Sequence, residues 1–182
     1  MPTSAPPAVH TISLLVRNKP GVLVRVSLVF SRRGYNIESL VVSPASIAKA
    51  GSAEAASVET HCDFSRMTIT CSGDPETLEQ IIKQLEKLID VVHALDHTGQ
   101  AVIESELALI KLRAGLKERT EILQIAEHYN AKVVDYSAES LILRIEGETE
   151  KLDACIGLLR PFGIAELVRS GKILMVRGLA LT

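Results

Sequence analysis

One order of predicted elements, strand-helix-strand-strand-helix-strand, occurs twice along the chain, and this repeat constrains the fold more than any other feature. Apolar residues that alternate along the chain predict strands, and apolar residues three or four apart predict helices. In the first half these patterns predict a strand at 10–16, a helix at 21–33, strands at 35–43 and 66–72, a helix that begins at Asp74-Pro75 and a strand at 91–95. Gly34 is the residue type that ends helices, and it follows the first one.

The second half repeats this order. The patterns predict a strand at 107–113, a helix at 118–129, strands at 131–136 and 140–146, a second helix, a strand at 164–168 and a hairpin through Ser170-Gly171 to a strand at 172–177. The second helices of the two halves correspond, because Gly73–Leu78 aligns with Gly147–Leu152 and the inward positions then coincide. The helix residues predicted to face a core are Leu78, Ile81, Ile82, Leu85 and Leu88 in the first half and Ile122, Ile125, Ala126 and Tyr129 in the second.

This repeat predicts an α+β fold of two tandem ferredoxin-like βαββαβ sandwiches, each with an antiparallel sheet covered on one face by two helices. We expect a disordered tail at 1–9, a first domain at 10–97 with an inserted loop at 44–63, a linker at 98–105 and a second domain at 106–182. The 182 residues, 47% of them hydrophobic and 23% charged, suffice for two small globular cores. Small domains bury a smaller fraction of their surface, so we expect this chain to associate with another.

The turn between the first strand and the first helix is suited to binding a small anion. Asn18 is followed by Lys19-Pro20-Gly21-Val22-Leu23. Glycine lets a ligand approach the backbone, and the unbonded N–H groups of a helix start carry the positive end of the helix dipole. An amino-acid carboxylate would fit there, and Asn18 and Asn36 can each donate and accept hydrogen bonds. Plain turn chemistry is the alternative interpretation, because such turns also occur without ligands.

Three segments together resemble one protein family. They are the turn from Asn18 to Leu23, the run Arg33-Gly34-Tyr35-Asn36-Ile37-Glu38-Ser39-Leu40, and Ser65-Arg66-Met67-Thr68-Ile69. They resemble the small, regulatory subunit of acetohydroxyacid synthase (acetolactate synthase), and the likeness extends from about Thr11 to Arg169-Ser170-Gly171. The resemblance implies an N-terminal ACT domain and a non-catalytic protein that binds and stimulates the catalytic (large) subunit. It also implies feedback inhibition by valine in branched-chain amino-acid biosynthesis.

The resemblance further implies where valine binds. The site would comprise Asn18, the backbone N–H groups of Gly21, Val22 and Leu23, and Asn36 from the facing chain of a homodimer, with Val16, Leu23 and Ile37 as an apolar wall. No cofactor or metal is expected in this chain, since thiamine diphosphate, Mg²⁺ and FAD would belong to the catalytic subunit. The second repeat has Arg113-Ala114-Gly115-Leu116-Lys117 at the equivalent turn and lacks both asparagines. We therefore expect it to be an interaction domain, with part of the surface that docks on the catalytic subunit.

Composition disfavours several other classes of partner. A net charge of -2 and an isoelectric point near 6.2 give no general attraction to nucleic acid or anionic membranes. The N-terminal residues do not form a signal peptide, and no apolar run reaches the roughly 18 residues that span a bilayer. Cys62, Cys71 and Cys155 lack CxxC spacing, so we expect reduced structural thiols in the cytoplasm.

Catalytic and metal-binding patterns are weak in this sequence. His93 and His97 are four residues apart but fall at the end of a predicted strand, so they would not share a helical face as metal ligands do. The sequence contains no glycine-rich phosphate-binding motif.

Three other classes share this element order. An RNA-recognition module would need aromatic residues on its central strands, where this chain has Ile12, Leu14, Met67 and Ile69. An acylphosphatase-like enzyme would need an arginine inside the turn, and Arg17 precedes it. An ACT-type amino-acid sensor or effector module for a different enzyme stays open. Two interpretations stay open for the alanine- and serine-rich insertion at 44–63, which could be a mobile loop or an arm that contacts a partner.

Overall fold

The computed structural model describes residues 9–45, 63–178 and 182. These residues form two compact units: one runs to Val102 and also includes Val176–Thr182, and the other is Ile103–Met175. The second domain expected at 106–182 therefore differs from the observed unit, because its last residues group with the first unit. Almost all of the expected tail and most of the expected insertion lie outside the described residues.

The first unit has the predicted order of elements. They are β1 (Val9–Arg17), α1 (Val22–Arg32), β2 (Asn36–Ala45), β3 (Phe64–Ser72), α2 (Pro75–Leu85) and β4 (Val91–Asp96). The strands form one sheet in the order β2-β3-β1-β4, and each strand is antiparallel to its neighbours. β2 and β4 are thus the edge strands, and β1 and β2 are separated by β3.

Local sequence signals fix the ends of both helices. Gly34 has φ +72°, and the N–H groups of Gly34 and Tyr35 donate to the carbonyls of Ser31 and Phe30, which is a Schellman cap. At α2 the side chain of Asp74 accepts the Thr77 N–H at 3.0 Å, with Pro75 as the first helical residue. Both predicted helix boundaries are confirmed.

The core of the first unit lies between its sheet and its two helices. It contains Ile12, Leu14 and Val16 of β1, Met67, Ile69 and Cys71 of β3, Val22, Val26, Val29 and Phe30 of α1, and Leu78, Ile81 and Leu85 of α2. Ile82 and Leu88 are half-buried against it. All five inward positions predicted for the second helix therefore contact the core.

The second unit repeats the same topology. Its elements are β5 (Val102–Arg113), α3 (Arg119–His128), β6 (Lys132–Tyr136), β7 (Ser140–Gly147), α4 (Thr149–Leu159), a 3-10 turn (Arg160–Phe162), β8 (Ile164–Arg169) and β9 (Ile173–Val176). The main sheet has the order β6-β7-β5-β8, which matches β2-β3-β1-β4 of the first unit. The predicted α+β class with two tandem βαββαβ units is confirmed. Among the described residues no helix is long and apolar enough to cross a membrane.

Two predictions in the second unit need correction. β5 begins at Val102, so the second half of the predicted linker at 98–105 is strand. β9 pairs with β5 and does not form the predicted hairpin ladder with β8. The physical reason is the length of β5. This strand has 12 residues, and β8 pairs only with Ala108–Leu112, so other backbone groups of β5 remain for pairing with β9.

The predicted inward positions of α3 are confirmed. Ile122 and Ala126 are buried, and Ile125 and Tyr129 are half-buried against the same core. Leu14 and Met67 of the first sheet pair as Ile110 and Leu143 do in the second, with all four side chains buried.

Candidate functional site

The turn that follows β1 is anchored to both neighbouring segments of the sheet. The Arg17 N–H donates to the Asp90 carbonyl, just before β4, and the Asn18 N–H donates to the Asp63 carbonyl, just before β3; both distances are 2.8 Å. The Lys19 N–H donates a hydrogen bond to the Arg17 carbonyl at 2.9 Å. These bonds hold Asn18 at a fixed place at the end of the sheet.

Gly21 is the N-cap residue of α1, and its backbone conformation requires glycine. Its φ of +81° lies in the left-handed region, which is strained for residues with a side chain. The helix begins at Val22 and not at residue 21 as predicted, so Pro20 precedes the cap.

The start of α1 presents backbone donors. Among the described residues no side chain caps this helix, and no acceptor is bonded to the N–H groups of Gly21 or Leu23. The Val22 N–H makes only a long bond of 3.4 Å to the Lys19 carbonyl. These donors and the helix dipole favour a negatively charged group at this end of α1.

Asn36 and Ile37 lie at the other end of the same sheet. Asn36 is the exposed first residue of β2 and faces Ser72, the last residue of β3. Val9, the first residue of β1, faces Ser72 from the other side. Within one chain the structure therefore does not bring Asn36 or Ile37 to the Asn18 turn.

Not every side chain expected around the turn is available to a ligand. Val16 is 1% exposed and belongs to the core, so its expected place in an apolar wall is wrong. Val22 is also buried and offers only its backbone. Leu23 is 41% exposed and can contact an apolar ligand group, and Ile37 is half-buried against the core.

The equivalent turn of the second unit is occupied by a side chain of the unit itself. Arg17 and Arg113 end corresponding strands, so Ala114 takes the place of Asn18. The buried Arg119 donates to the carbonyls of Ala114, Ser137 and Ala138, and its guanidinium lies 4.5 Å from the centre of the Tyr136 ring. This turn therefore binds an internal cation, in contrast to the exposed donors of α1.

Sequence analysis missed the burial of Arg119. The residue lies three positions before Ile122 and seven before Ala126, which is the spacing of an inward helix face. That spacing was the available signal. A charged residue at such a position must find acceptors, and here three backbone carbonyls supply them.

The histidines of the first unit have structural partners. His97 is buried, with Nε2 2.7 Å from the Ser13 hydroxyl and Nδ1 3.3 Å from the Gln100 side-chain oxygen. His93 lies on β4 and its Nε2 is 3.4 Å from the Thr182 carbonyl oxygen. Across 9–45, 63–178 and 182, no group of three or more potential metal-ligating side chains is found.

Comparison with known proteins gives consistent results for both units. Residues 12–93 match the family described as AHAS small subunit-like ACT domain, and residues 105–178 match the family described as Small subunit of acetolactate synthase. The acetolactate synthase small subunit of Mycolicibacterium smegmatis is 45% identical over 169 residues, which cover 93% of this chain and 91% of the relative.

A second bacterial relative and a solved structure are also acetolactate synthase small subunits. The acetolactate synthase small subunit of Aquifex aeolicus is 40% identical over 174 residues, covering 94% of this chain and 83% of the relative. The crystal structure of the acetolactate synthase small subunit from Thermotoga maritima superposes with a TM-score of 0.78 at 35% identity, and the match covers 95% of this chain and 99% of that one.

Proposed function

Because the chain belongs to the small-subunit family of acetolactate synthase, we propose that it is a non-catalytic regulatory subunit of that enzyme. In this proposal it docks on the catalytic subunit, stimulates acetolactate formation and confers feedback inhibition by valine in branched-chain amino-acid biosynthesis in the cytoplasm. Thiamine diphosphate, Mg²⁺ and FAD belong to the catalytic subunit, which carries out the chemistry.

The observation that supports an effector site is the start of α1 at Gly21. A valine carboxylate accepts hydrogen bonds from the N–H groups of Gly21 and Leu23, where the helix dipole favours negative charge. The ammonium group binds the side-chain oxygens of Asn18 and of Asn36 from a second chain. The isopropyl group contacts the exposed side chain of Leu23.

A homodimer of first units supplies the second asparagine. Among the described residues β2 is an edge strand of its sheet, and the exposed apolar residues Val24, Leu28 and Val42 lie on α1 and β2. An isologous, antiparallel pairing of two β2 strands places the first residue of one β2 level with the last residue of the other. Because Ala45 is level with Arg17, the partner's Asn36 then comes to the Asn18 end of the sheet.

Inhibition must pass between proteins in this proposal, since valine binds to a chain that does not carry out the reaction. Valine binding to the dimer biases the docked state of the catalytic subunit toward a less active form. Allosteric couplings of about 1–3 kcal/mol change affinities roughly 5- to 150-fold, which suffices for feedback control.

The two units divide these tasks in the proposal. The first unit binds valine, because the Gly21 N–H of its turn is bonded to no acceptor among the described residues, whereas the Gly115 N–H of the second turn donates to the Glu118 side chain. The second unit contributes to the surface that docks on the catalytic subunit, since its own turn is filled by Arg119. The segment at 44–63 is a further candidate for docking, and most of it lies outside the described residues.

An effector module for a different enzyme is the second candidate function. An amino-acid site at the turn would suit a regulatory subunit of acetolactate synthase and an effector module of another enzyme equally, so the site does not distinguish the two functions. The family match over both units favours acetolactate synthase.

The test is co-expression of this chain with the acetolactate synthase catalytic subunit of the same organism, followed by purification through a tag on this chain. We expect a stable complex and, by calorimetry on the isolated chain, valine binding in the micromolar to millimolar range typical of small ligands. A chain that binds valine but does not retain the catalytic subunit would favour the second candidate function. A chain that does neither would contradict both.

A further inference from the structure

An ion pair lies beside the turn that starts α1. Arg25 is one helical turn after Gly21, and its backbone N–H donates to the Gly21 carbonyl at 3.2 Å. Its Nη2 is 2.5 Å from Oδ2 of Asp90, the residue that also accepts the Arg17 N–H. The pair therefore joins the first turn of α1 to the same end of the sheet that holds Asn18.

The absence of a side chain at Gly21 leaves a space that Arg25 borders. A Cβ atom built on Gly21 would lie 3.5 Å from Nη1 of Arg25, its nearest neighbour. A ligand group placed against Gly21 on this side contacts the guanidinium. Among the described residues no acceptor is bonded to Nη1 or Nε of Arg25, so these donors are available.

The two members of the pair differ in exposure. The Arg25 side chain is 46% exposed and the Asp90 side chain 11%. Asp90 is thus fixed in the protein and holds one edge of the guanidinium, while solvent reaches the other edge. A guanidinium oriented in advance loses less side-chain entropy when it binds a carboxylate, and its planar donors suit a two-oxygen anion.

We propose that Arg25, oriented by Asp90, is an additional contact to the carboxylate of the bound amino acid. This inference rests on the proposed effector site and adds a charged group to its neutral donors. It also gives the site a preference for ligands with a free carboxylate. The Arg25–Asp90 pair could otherwise serve only to hold α1 against the sheet, and the two roles make different predictions.

The experiment measures binding of L-valine and of L-valinamide, which lacks the carboxylate, to the full-length chain by calorimetry. The proteins are wild type, Arg25→Gln, Arg25→Lys and Asp90→Asn, with Arg32→Gln as control because Arg32 is an exposed cation at the other end of α1. We expect Arg25→Gln to weaken valine binding by at least about tenfold while changing valinamide binding little. Arg32→Gln should leave both unchanged.

The two intermediate variants separate the roles further. Arg25→Lys keeps a cation but loses the planar fork, so it should fold and bind valine more weakly than wild type. Asp90→Asn should also weaken valine binding, by less than Arg25→Gln, because Arg25 loses its charged anchor.

The outcomes are distinct. The inference is overturned if Arg25→Gln weakens the binding of valine and valinamide equally, or if it weakens the binding of neither ligand. In both cases Arg25 has only a structural role. Wild-type affinity of Asp90→Asn would overturn the orienting role of Asp90. If the wild-type chain does not bind valine, the proposed effector site itself is wrong and this inference falls with it.

Discussion

Asn18, which follows the last residue of β1, and Asn36, the first residue of β2, lie at opposite ends of one sheet because β1 and β2 run in the same direction. β1 and β2 are both antiparallel to β3; Arg17 and Ala45 face Phe64, whereas Val9 and Asn36 face Ser72. With a rise of about 3.3 Å per residue, the two asparagines are separated along the strands by about 30 Å. An amino acid cannot contact both in one chain. A site that uses both asparagines therefore requires two chains.

Mixed dimers test this arrangement. Asn18→Ala and Asn36→Ala should each abolish valine binding in a homodimer, because each pocket then lacks one asparagine. In a dimer that contains one chain of each kind, one pocket has both asparagines and the other has neither. Co-expression of the two variants should therefore restore about one quarter of the wild-type sites, as measured by calorimetry. A site formed within a single chain would show no recovery.

Two glycine substitutions should change stability in opposite directions. The Tyr35 ring fills the space beside Gly73, where an added Cβ would lie 2.6 Å from Cε1, so Gly73→Ala should destabilise the first unit by about 1–3 kcal/mol. Gly157 is exposed in α4 with no atom near its Cβ position, so Gly157→Ala should stabilise the second unit by about 0.5–1 kcal/mol. Urea unfolding followed by circular dichroism measures both. Equal changes in the free energy of unfolding for the two variants would contradict the packing around Gly73 and Gly157.

The buried ion pair of the second unit should matter more than an exposed one. Glu106 is buried and accepts two bonds from Arg169, at 3.0 Å from Nε and 2.5 Å from Nη2. Arg169→Ala leaves that carboxylate without its cation and should lower the free energy of unfolding by about 3 kcal/mol. The control is Lys111→Ala, because the Lys111–Glu166 pair is exposed and its loss should have little effect. A larger loss in the control would refute this ranking.

The buried thiols should be unreactive in the folded protein. Burial, with the nearby Glu38 and Asp96 charges, raises the pKa of Cys71 to about 11, and burial also raises the pKa of Cys155. Only the thiolate reacts with iodoacetamide, so a Cys62→Ser variant at pH 8 should remain unlabelled when folded and gain two adducts in urea, as counted by mass spectrometry. Rapid labelling of Cys71 in the folded protein would contradict the burial and the raised pKa of its thiol.

The same shift predicts how stability depends on pH. The folded Cys71 thiol holds its proton to higher pH than the unfolded one, so its contribution is complete below the unfolded pKa near 9 and is lost as pH rises to about 11.

Features set by neighbours in sequence were predictable. Asp74 and Pro75 start α2, and Gly34 ends α1, because each acts on backbone groups within one helical turn. That Asn18 and Asn36 need not meet within one chain also followed from element order, since β3 separates β1 from β2 in this topology.

Features set by distant contacts were not predictable. The pairing of β9 with β5 depends on how much of β5 remains beyond β8, which periodicity does not reveal. The Arg25–Asp90 pair joins residues 65 positions apart, and nothing in either local segment indicates it.

The most direct test of the regulatory role is acetolactate production by the catalytic subunit under six conditions. The enzyme is assayed alone, with this chain and with its Asn36→Ala variant, each with and without valine. We predict stimulation by both forms and inhibition by valine only with the wild-type chain, because only it retains complete pockets. Equal valine inhibition of the catalytic subunit alone, or no stimulation by the wild-type chain, would contradict the account.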